Sequence, residues 1–282
     1  MTRPLRIEYP GAIYHVFSRG NASQPIFIDD IDRLTFLDLL GSTFEHYHWL
    51  CHAYCLMGNH YHLLIETLEG NLSEGMRQIN GVYTRKFNRR HNRSGHLFQG
   101  RFRAVIVERD FYLLEVNRYI SLNPVKSGLV PDPAEYSWSS FPAMIGLQDR
   151  PSFLTRDWIL SQFSEKEDIA IQRFRDFVYD GIAQARSDED EGEHILGSAQ
   201  FKQNLQPILA TSRTIREIPR IQRYVNRPEL RDIFTSSTAK EKSARNAAIR
   251  TCVLEYGYTL TEVGRFLDLH YTTISKIVNQ EN

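Results

Sequence analysis

Cysteine is scarce in this chain: Cys51, Cys55 and Cys252 are the only three among 282 residues. An odd trio cannot build a disulfide framework, so a reducing compartment is expected. Long apolar runs are missing as well. No stretch approaches the ~20 residues that a membrane helix needs. The opening, MTRPLRIEYPGAIYHV, lacks the apolar segment of a signal peptide. These absences argue against a secreted disulfide scaffold and a helical membrane protein, and the expected location is cytoplasmic. Net charge is also absent on average, at zero. What is present, 41% hydrophobic and 24% charged residues, suits an ordinary globular chain with room for two cores.

The zero average hides an uneven spread. Residues 1–130 carry a net charge of +3, residues 131–196 carry −8, and residues 197–282 carry +5. The sharpest local feature is 77–103, with eight basic residues and no acid: Arg77, Arg85, Lys86, Arg89, Arg90, Arg93, Arg101 and Arg103. A solvated helix face would explain such a run. So would a phosphate-binding strip, because Lys and Arg neutralise backbone phosphates and release counterions.

Periodicity and turn signals give a coarse plan. AIYHVFSR (12–19) follows Pro10-Gly11 and reads as a strand. Residues 29–48 open with acids and space Ile31, Leu34, Leu37 and Phe44 as a helix face. LCHAYCLM (50–57) and YHLLIET (61–67), joined through Gly58-Asn59, form a hairpin signature. Residues 71–91 read as a basic helix, 101–108 as a strand, and 110–123 as a helix stopped by Pro124. The loop 88–101 between them reads as polar and mobile. The order β-α-β-β-α-β-α predicts an α+β fold, a ferredoxin-like antiparallel sheet with packed helices. Residues 131–146 look like a strap returning over this domain, 151–180 carry two helices, and SDEDEGE (187–193) reads as an acidic linker. The expected domains are 1–145, a helical connector over 146–194, and an all-α domain over 195–282.

Two constellations could carry chemistry. In MGNHYHLLIE (57–66), His60 and His62 are two apart, so on a strand they share one face and Tyr61 takes the other. That places two imidazoles beside one divalent ion, although an H-x-H triplet is equally at home as a structural pair. A zinc site drawing on Cys51 and Cys55 is a competing use of the same histidines. In DFYLLEVNRYISLNPVKSG (110–128), Tyr119 and Asn123 lie one helical turn apart. Tyr119 is a candidate nucleophile, and the amide oxygen of Asn123 is a candidate third metal ligand. A phenol with a pKa near ~10 needs assistance to attack at neutral pH. Tyr112 shares the face of Tyr119 and competes with it, but Val116 stands where its polar partner would be.

A third feature lies at 259–280, TLTEVGRFLDLHYTTISKIVNQ. Gly264 supplies the small residue of a helix-turn-helix, and Val263, Leu267, Leu269, Ile274 and Ile277 supply its locking positions. Asp268 stands where glycine is commoner. Residues 240–257 would be the support helix. The recognition helix would present Tyr271, Thr272, Thr273, Ser275 and Lys276 to a major groove. A small helical bundle used for protein contacts is the alternative.

Taken together, NHYHLLIE, HLFQGRFRAV and YLLEVNRYISLNPVKSGLV resemble, in order, the single-tyrosine HUH transposases, specifically the REP-associated tyrosine transposase branch. The resemblance spans about residues 5–145. It implies Mg²⁺ or Mn²⁺ on His60 and His62, with the less usual Tyr61 between them, completed by Asn123. It implies Tyr119 as the nucleophile that forms a 5′-phosphotyrosine. It also implies single-stranded DNA with hairpin-forming repeats as the partner, and leaves monomer and homodimer both open. The C-terminal pattern resembles, more loosely, the DNA-binding domain of the replication initiator DnaA. A non-catalytic DNA-binding regulator derived from such an enzyme is the other functional reading.

Overall fold

The computed structural model describes residues 7–182, 195–205, 228–235, 242–254, 256, 258 and 260–279. The acidic stretch 187–193 lies outside these residues, as do the ends of the expected support helix at 240–241, 255 and 257. The chain divides into two compact units: Glu8–Ser198, and the described residues from Ala199 onward. No helix among the described residues is long and apolar enough to cross a membrane.

The larger unit runs β1 (Ala12–Arg19), α1 (Asp30–His46), β2 (Trp49–Leu56), β3 (His60–Thr67), α2 (Leu72–Arg90), β4 (Arg103–Val107) and α3 (Arg109–Lys126). Four antiparallel strands in the order β2-β3-β1-β4 reproduce the expected ferredoxin-like α+β arrangement. A fifth, two-residue strand, β5 (Ile195–Leu196), adds to β4 in parallel, so the region expected to be all-helical begins with a strand. The β2–β3 turn is tight: Met57 N–H donates to the carbonyl of His60.

Strand alternation splits the core into two faces. One face takes α1 and α2: Tyr61 packs on Phe36 at 4.9 Å and donates its hydroxyl to Asn80 at 2.7 Å, and Tyr83 bonds the Ile26 carbonyl. Gly75 lets α2 come against Trp49, since a Cβ there would lie 2.3 Å from the indole ring. The strap follows its predicted path. Leu56 N–H donates to Trp138, Tyr136 Oη to Leu56, and Tyr54 N–H to Ser140 Oγ. Three short helices complete this unit: α4 (Phe141–Met144), α5 (Asp157–Ser161) and α6 (Glu167–Asp180).

Three local expectations need correction. In α1 the buried stripe is Phe36, Leu39, Leu40 and Phe44, while Ile31 is 57% and Leu34 52% exposed. Both sets satisfy helical spacing, and the one carrying the larger aromatics faces the sheet. Pro124 does not stop α3, which continues to Lys126. Pro124 costs the helix one hydrogen bond, to the Ile120 carbonyl, and only two helical residues follow it. The loop 88–101 is pinned rather than loose: Leu97 and Phe98 are buried, Gln99 N–H donates to Arg19, and Asn21 N–H donates to Leu97.

The second unit holds α7 (Ala199–Asn204), α8 (Leu230–Ile233), α9 (Lys242–Leu254), α10 (Leu260–Leu267) and α11 (Tyr271–Asn279). Ile249, Cys252, Val263 and Ile274 form its centre with Phe234 and Tyr258, and Leu267, Leu269 and Ile277 pack around them. Arg250 Nε donates to the Ile277 carbonyl at 3.0 Å, tying α9 to α11.

Candidate active site

The second face of the sheet carries α3. Register sets who meets whom: His62 lies opposite Phe17, His60 opposite Arg19, and Leu64 opposite His15. In an antiparallel pair, opposed residues point to the same side. His15, Phe17, Arg19, His60 and His62 therefore share this face, with the β4 end supplying Arg103 opposite Phe17.

Helix α3 is fastened over them at several points. Arg109 pairs with the buried carboxylate of Glu66 and lies over the Trp158 ring. Asn117 Nδ2 donates to the His52 carbonyl at 2.9 Å. Leu113, Val116 and Ile120 are buried beneath the helix. These contacts leave the positions 119, 123 and 126 beside the histidines. The Tyr119 ring stands 5.8 Å from His62 and 5.7 Å from His15, edge-on to both, and 40% of the residue is exposed. Lys126 Nζ sits 5.5 Å above that ring. Tyr112 makes no ring contact with either histidine.

His60 and His62 have ring centroids 5.0 Å apart. Each has its Nδ1 engaged: His60 with Asn59 Oδ1 at 2.7 Å, and His62 with His15 Nε2 at 2.9 Å. In the tautomer that donates through Nδ1, each ring keeps a lone pair on Nε2. Burial pushes the His62 imidazole well below its ordinary pKa, with His15 and His60 adding to the shift. Burial also lowers His60, where a side-chain hydrogen bond to Asn123 opposes it and Arg19 reinforces it. His15 falls to about 4 through burial. The imidazoles are thus held neutral, the form that ligates cations.

Asn123 is buried, and its Nδ2 has no hydrogen-bond partner among the described residues. Among the same residues, no group of three or more His, Cys, Asp or Glu side chains is placed to hold a metal. What the site offers is two neutral imidazoles and one amide. Imidazole nitrogens are ordinary ligands of divalent transition metals, and an amide oxygen is a donor for harder cations such as Mg²⁺ and Mn²⁺. The cysteines do not join them: Cys51 Sγ donates to the Ala53 carbonyl, Cys55 Sγ contacts Met57 Sδ, and burial pushes both thiols up.

The basic residues of 77–103 are all exposed, but they are not equivalent. Arg77 and Arg85 line a shallow groove on α2 with Tyr47, Gln78, Val82 and the acidic Glu74. Lys86, Arg89 and Arg101 lie at the surface as well. Arg90 is committed inward, forking Asp29 and the buried Asp32 at 2.6 Å each. Arg93 donates to Gln24 and lies over Phe87. In the second unit, Thr272, Thr273 and Lys276 are exposed and Ser275 half-buried, while the side chain of Tyr271 lies outside the described residues.

Sequence motifs alone do not single out His15 or Asn59. Asn59 is readable as the turn residue before His60. His15 is 47 positions from His62, and only the β1–β3 register joins them.

Residues 9–123 match the family model described as "Transposase IS200 like". A solved structure described as "Structure of the REP associates tyrosine transposase bound to a REP hairpin" is similar over 56% of this chain and 91% of that chain. The two share 17% identity, with a TM-score of 0.44. No curated protein matches the chain. The matched stretch, residues 9–123, holds His60, His62, Tyr119 and Asn123.

Proposed function

We propose that the chain is a metal-dependent DNA strand transferase that cleaves and rejoins single-stranded DNA through a covalent tyrosine intermediate. One observation carries this reading: Tyr119 and Asn123 of α3 meet His60 and His62 of β3 on the same sheet face. The substrate class, single strands beside imperfect hairpins of the REP kind, follows from the sequence resemblance.

His60, His62 and Asn123 would hold Mg²⁺ or Mn²⁺, which when bound would supply charge neutralisation at the scissile phosphate. The buried Asn123 Nδ2, without a hydrogen-bond partner among the described residues, is a donor suited to a phosphate oxygen. Tyr119 Oη attacks the phosphorus in line. A new P–O bond to the phenol forms as the P–O3′ bond breaks. The phenolic proton passes to water, and the departing 3′-oxygen takes one up as a 3′-hydroxyl. The product retains a phosphodiester, so another 3′-hydroxyl can reverse the step without nucleotide hydrolysis. Lys126 adds positive charge beside the nucleophile.

The proposed division of labour gives catalysis to 1–145, linkage to 146–194 and duplex or hairpin binding to 195–282. In the last segment α10, the turn and α11 act as a helix-turn-helix, with exposed Thr272, Thr273 and Lys276 toward the groove and Ser275 beside them.

The test is a denaturation-resistant adduct formed with a hairpin-bearing single strand and Mn²⁺. Tyr119→Phe abolishes it and retains DNA binding, while Tyr112→Phe leaves it intact. An adduct that survives in Tyr119→Phe and disappears in Tyr112→Phe reassigns the nucleophile. Absence of any adduct across hairpin substrates favours the non-catalytic DNA-binding regulator.

A further inference from the structure

The site face continues past the histidines. Register places Cys55, His62, Phe17 and Arg103 in one row across β2, β3, β1 and β4. The row changes character along its length. Cys55 is fully buried, His62 is buried, Phe17 is half-buried and Arg103 is exposed. The Phe17 ring is stacked with His62 at 5.8 Å and 30° between planes, and lies 5.3 Å from the His15 ring at 39°. The Arg103 guanidinium lies over Phe17, 5.9 Å from the ring centroid. Arg19, one alternation step along β1, is exposed and close enough to His60 to lower its pKa.

A half-buried aromatic beside two arginines is unusual furniture for a sheet that only needs covering. Arg103 has no acidic partner among the described residues, so salt-bridge formation does not explain its position over the ring. A guanidinium lying over a half-buried aromatic gives solvent a cationic, partly aromatic face. Such faces accept nucleobases by stacking and hold the adjoining phosphate by charge. Two strand spacings, about 10 Å, separate the His62 and Arg103 positions. That is the reach of a neighbouring nucleotide when its phosphate lies at the histidines.

Resting on the single-stranded DNA reading above, we propose that Phe17 and Arg103 form a stacking seat for an unpaired nucleobase next to the scissile phosphate, with Arg19 holding backbone charge. The seat reads base planarity rather than base edges. It selects an unstacked nucleotide, a single strand over a duplex.

The experiment uses the full chain and two 20-residue probes, dT20 and an abasic strand of the same length. Base–aromatic stacking predicts that Phe17→Leu weakens dT20 binding by about five- to hundred-fold and leaves abasic binding unchanged. Phe17→Tyr restores dT20 binding. Arg103→Gln weakens both probes, and dT20 more. Mn²⁺ titration of Phe17→Leu by calorimetry gives the wild-type affinity, which separates a lost seat from a damaged histidine pair. Equal losses on both probes, or no loss on dT20, overturn the seat while the single-strand reading stands. Failure of the wild type to bind dT20 at all overturns both. Arg103→Gln keeps the question decidable if Phe17→Leu does not fold.

Discussion

Nε2 of His15 on β1 lies 2.9 Å from Nδ1 of His62 on β3, with both rings buried. The contact engages the Nδ1 side of His62, and in the tautomer that donates through Nδ1 the ring keeps its lone pair on Nε2. Outer partners of this kind orient ligating imidazoles, and losing one costs about 10–100-fold in metal affinity. His15→Ala is therefore expected to weaken Mn²⁺ binding by that factor in calorimetry, while His15→Gln, which keeps a polar partner for Nδ1, recovers part of it. Unchanged affinity in His15→Ala would reduce His15 to a packing residue.

The basic residues of α2 separate into two kinds, and salt dependence distinguishes them. Arg85 points outward beside the groove, whereas Arg90 forks Asp29 and Asp32. Each phosphate contact to a single strand contributes about 0.7 to the slope of log K against log salt. Arg85→Ala should lower the slope by about that amount. Arg90→Ala should leave the slope alone and act on stability instead. Equal slope changes in both variants would contradict the inward placement of Arg90.

Acid sensitivity follows from the same cluster. The Arg90 hydrogen bond holds the Asp29 carboxyl at about 2, below its ordinary value. A depressed folded-state pKa contributes stability above the unfolded value, and that contribution is lost as pH falls through about 4 toward 2. Asp29→Asn keeps an amide oxygen to cap α1 but loses the ion pair. Its midpoint of thermal unfolding should lie below wild type at pH 7, with the gap closing near pH 2. A gap independent of pH would assign the effect to the cap.

Helix α1 shows where a sequence stops speaking. Ile31, Leu34, Leu37 and Phe44 recur at helical spacing, but so do Phe36, Leu39, Leu40 and Phe44, and only the sheet decides between them. Phe36→Ala should cost about 3–5 kcal/mol, since the ring is fully buried among Phe27, Tyr61 and Tyr83. Ile31→Ala should stay within about 0.5 kcal/mol, as for other surface positions. Denaturant titration of the two variants checks the contrast.

Strands β1 to β4 and the shared face of His60 and His62 were legible, because period-2 alternation and the Gly58-Asn59 turn are local signals, whereas the two-residue β5 was not. Tyr119 and Asn123 were legible as a pair one turn apart. Their approach to the histidines is a tertiary fact, and so are His15 and Phe17, which depend on a β1–β3 register set between residues 47 and 45 apart. The extension of α3 through Pro124 escaped because a proline rule is weakest in a final turn, where the one bond lost, to the Ile120 carbonyl, is followed by only two more helical residues. The pinning of 88–101 escaped because two apolar residues, Leu97 and Phe98, decide it inside an otherwise polar segment.

Asp268, between α10 and α11, has φ of +54°, in the left-handed region. Its side chain is exposed, and the following residue closes the turn as Leu269 N–H donates to the Gly264 carbonyl at 2.8 Å. Aspartate tolerates this conformation better than most residues, glycine better still, and a β-branched residue worst. Asp268→Gly removes the Cβ strain but makes the unfolded chain more flexible, so the two effects oppose each other. The net expectation is a change within about 1 kcal/mol. Asp268→Val has no such compensation and should cost about 1–2 kcal/mol, lowering the melting of the helical C-terminal unit by far-ultraviolet circular dichroism. If the turn orients α11 for a groove, Asp268→Val also weakens binding to hairpin DNA, whereas Asp268→Gly binds as wild type. A valine variant as stable as wild type would mean that the turn is not held at positive φ, and the geometry between the two helices would have to be redrawn.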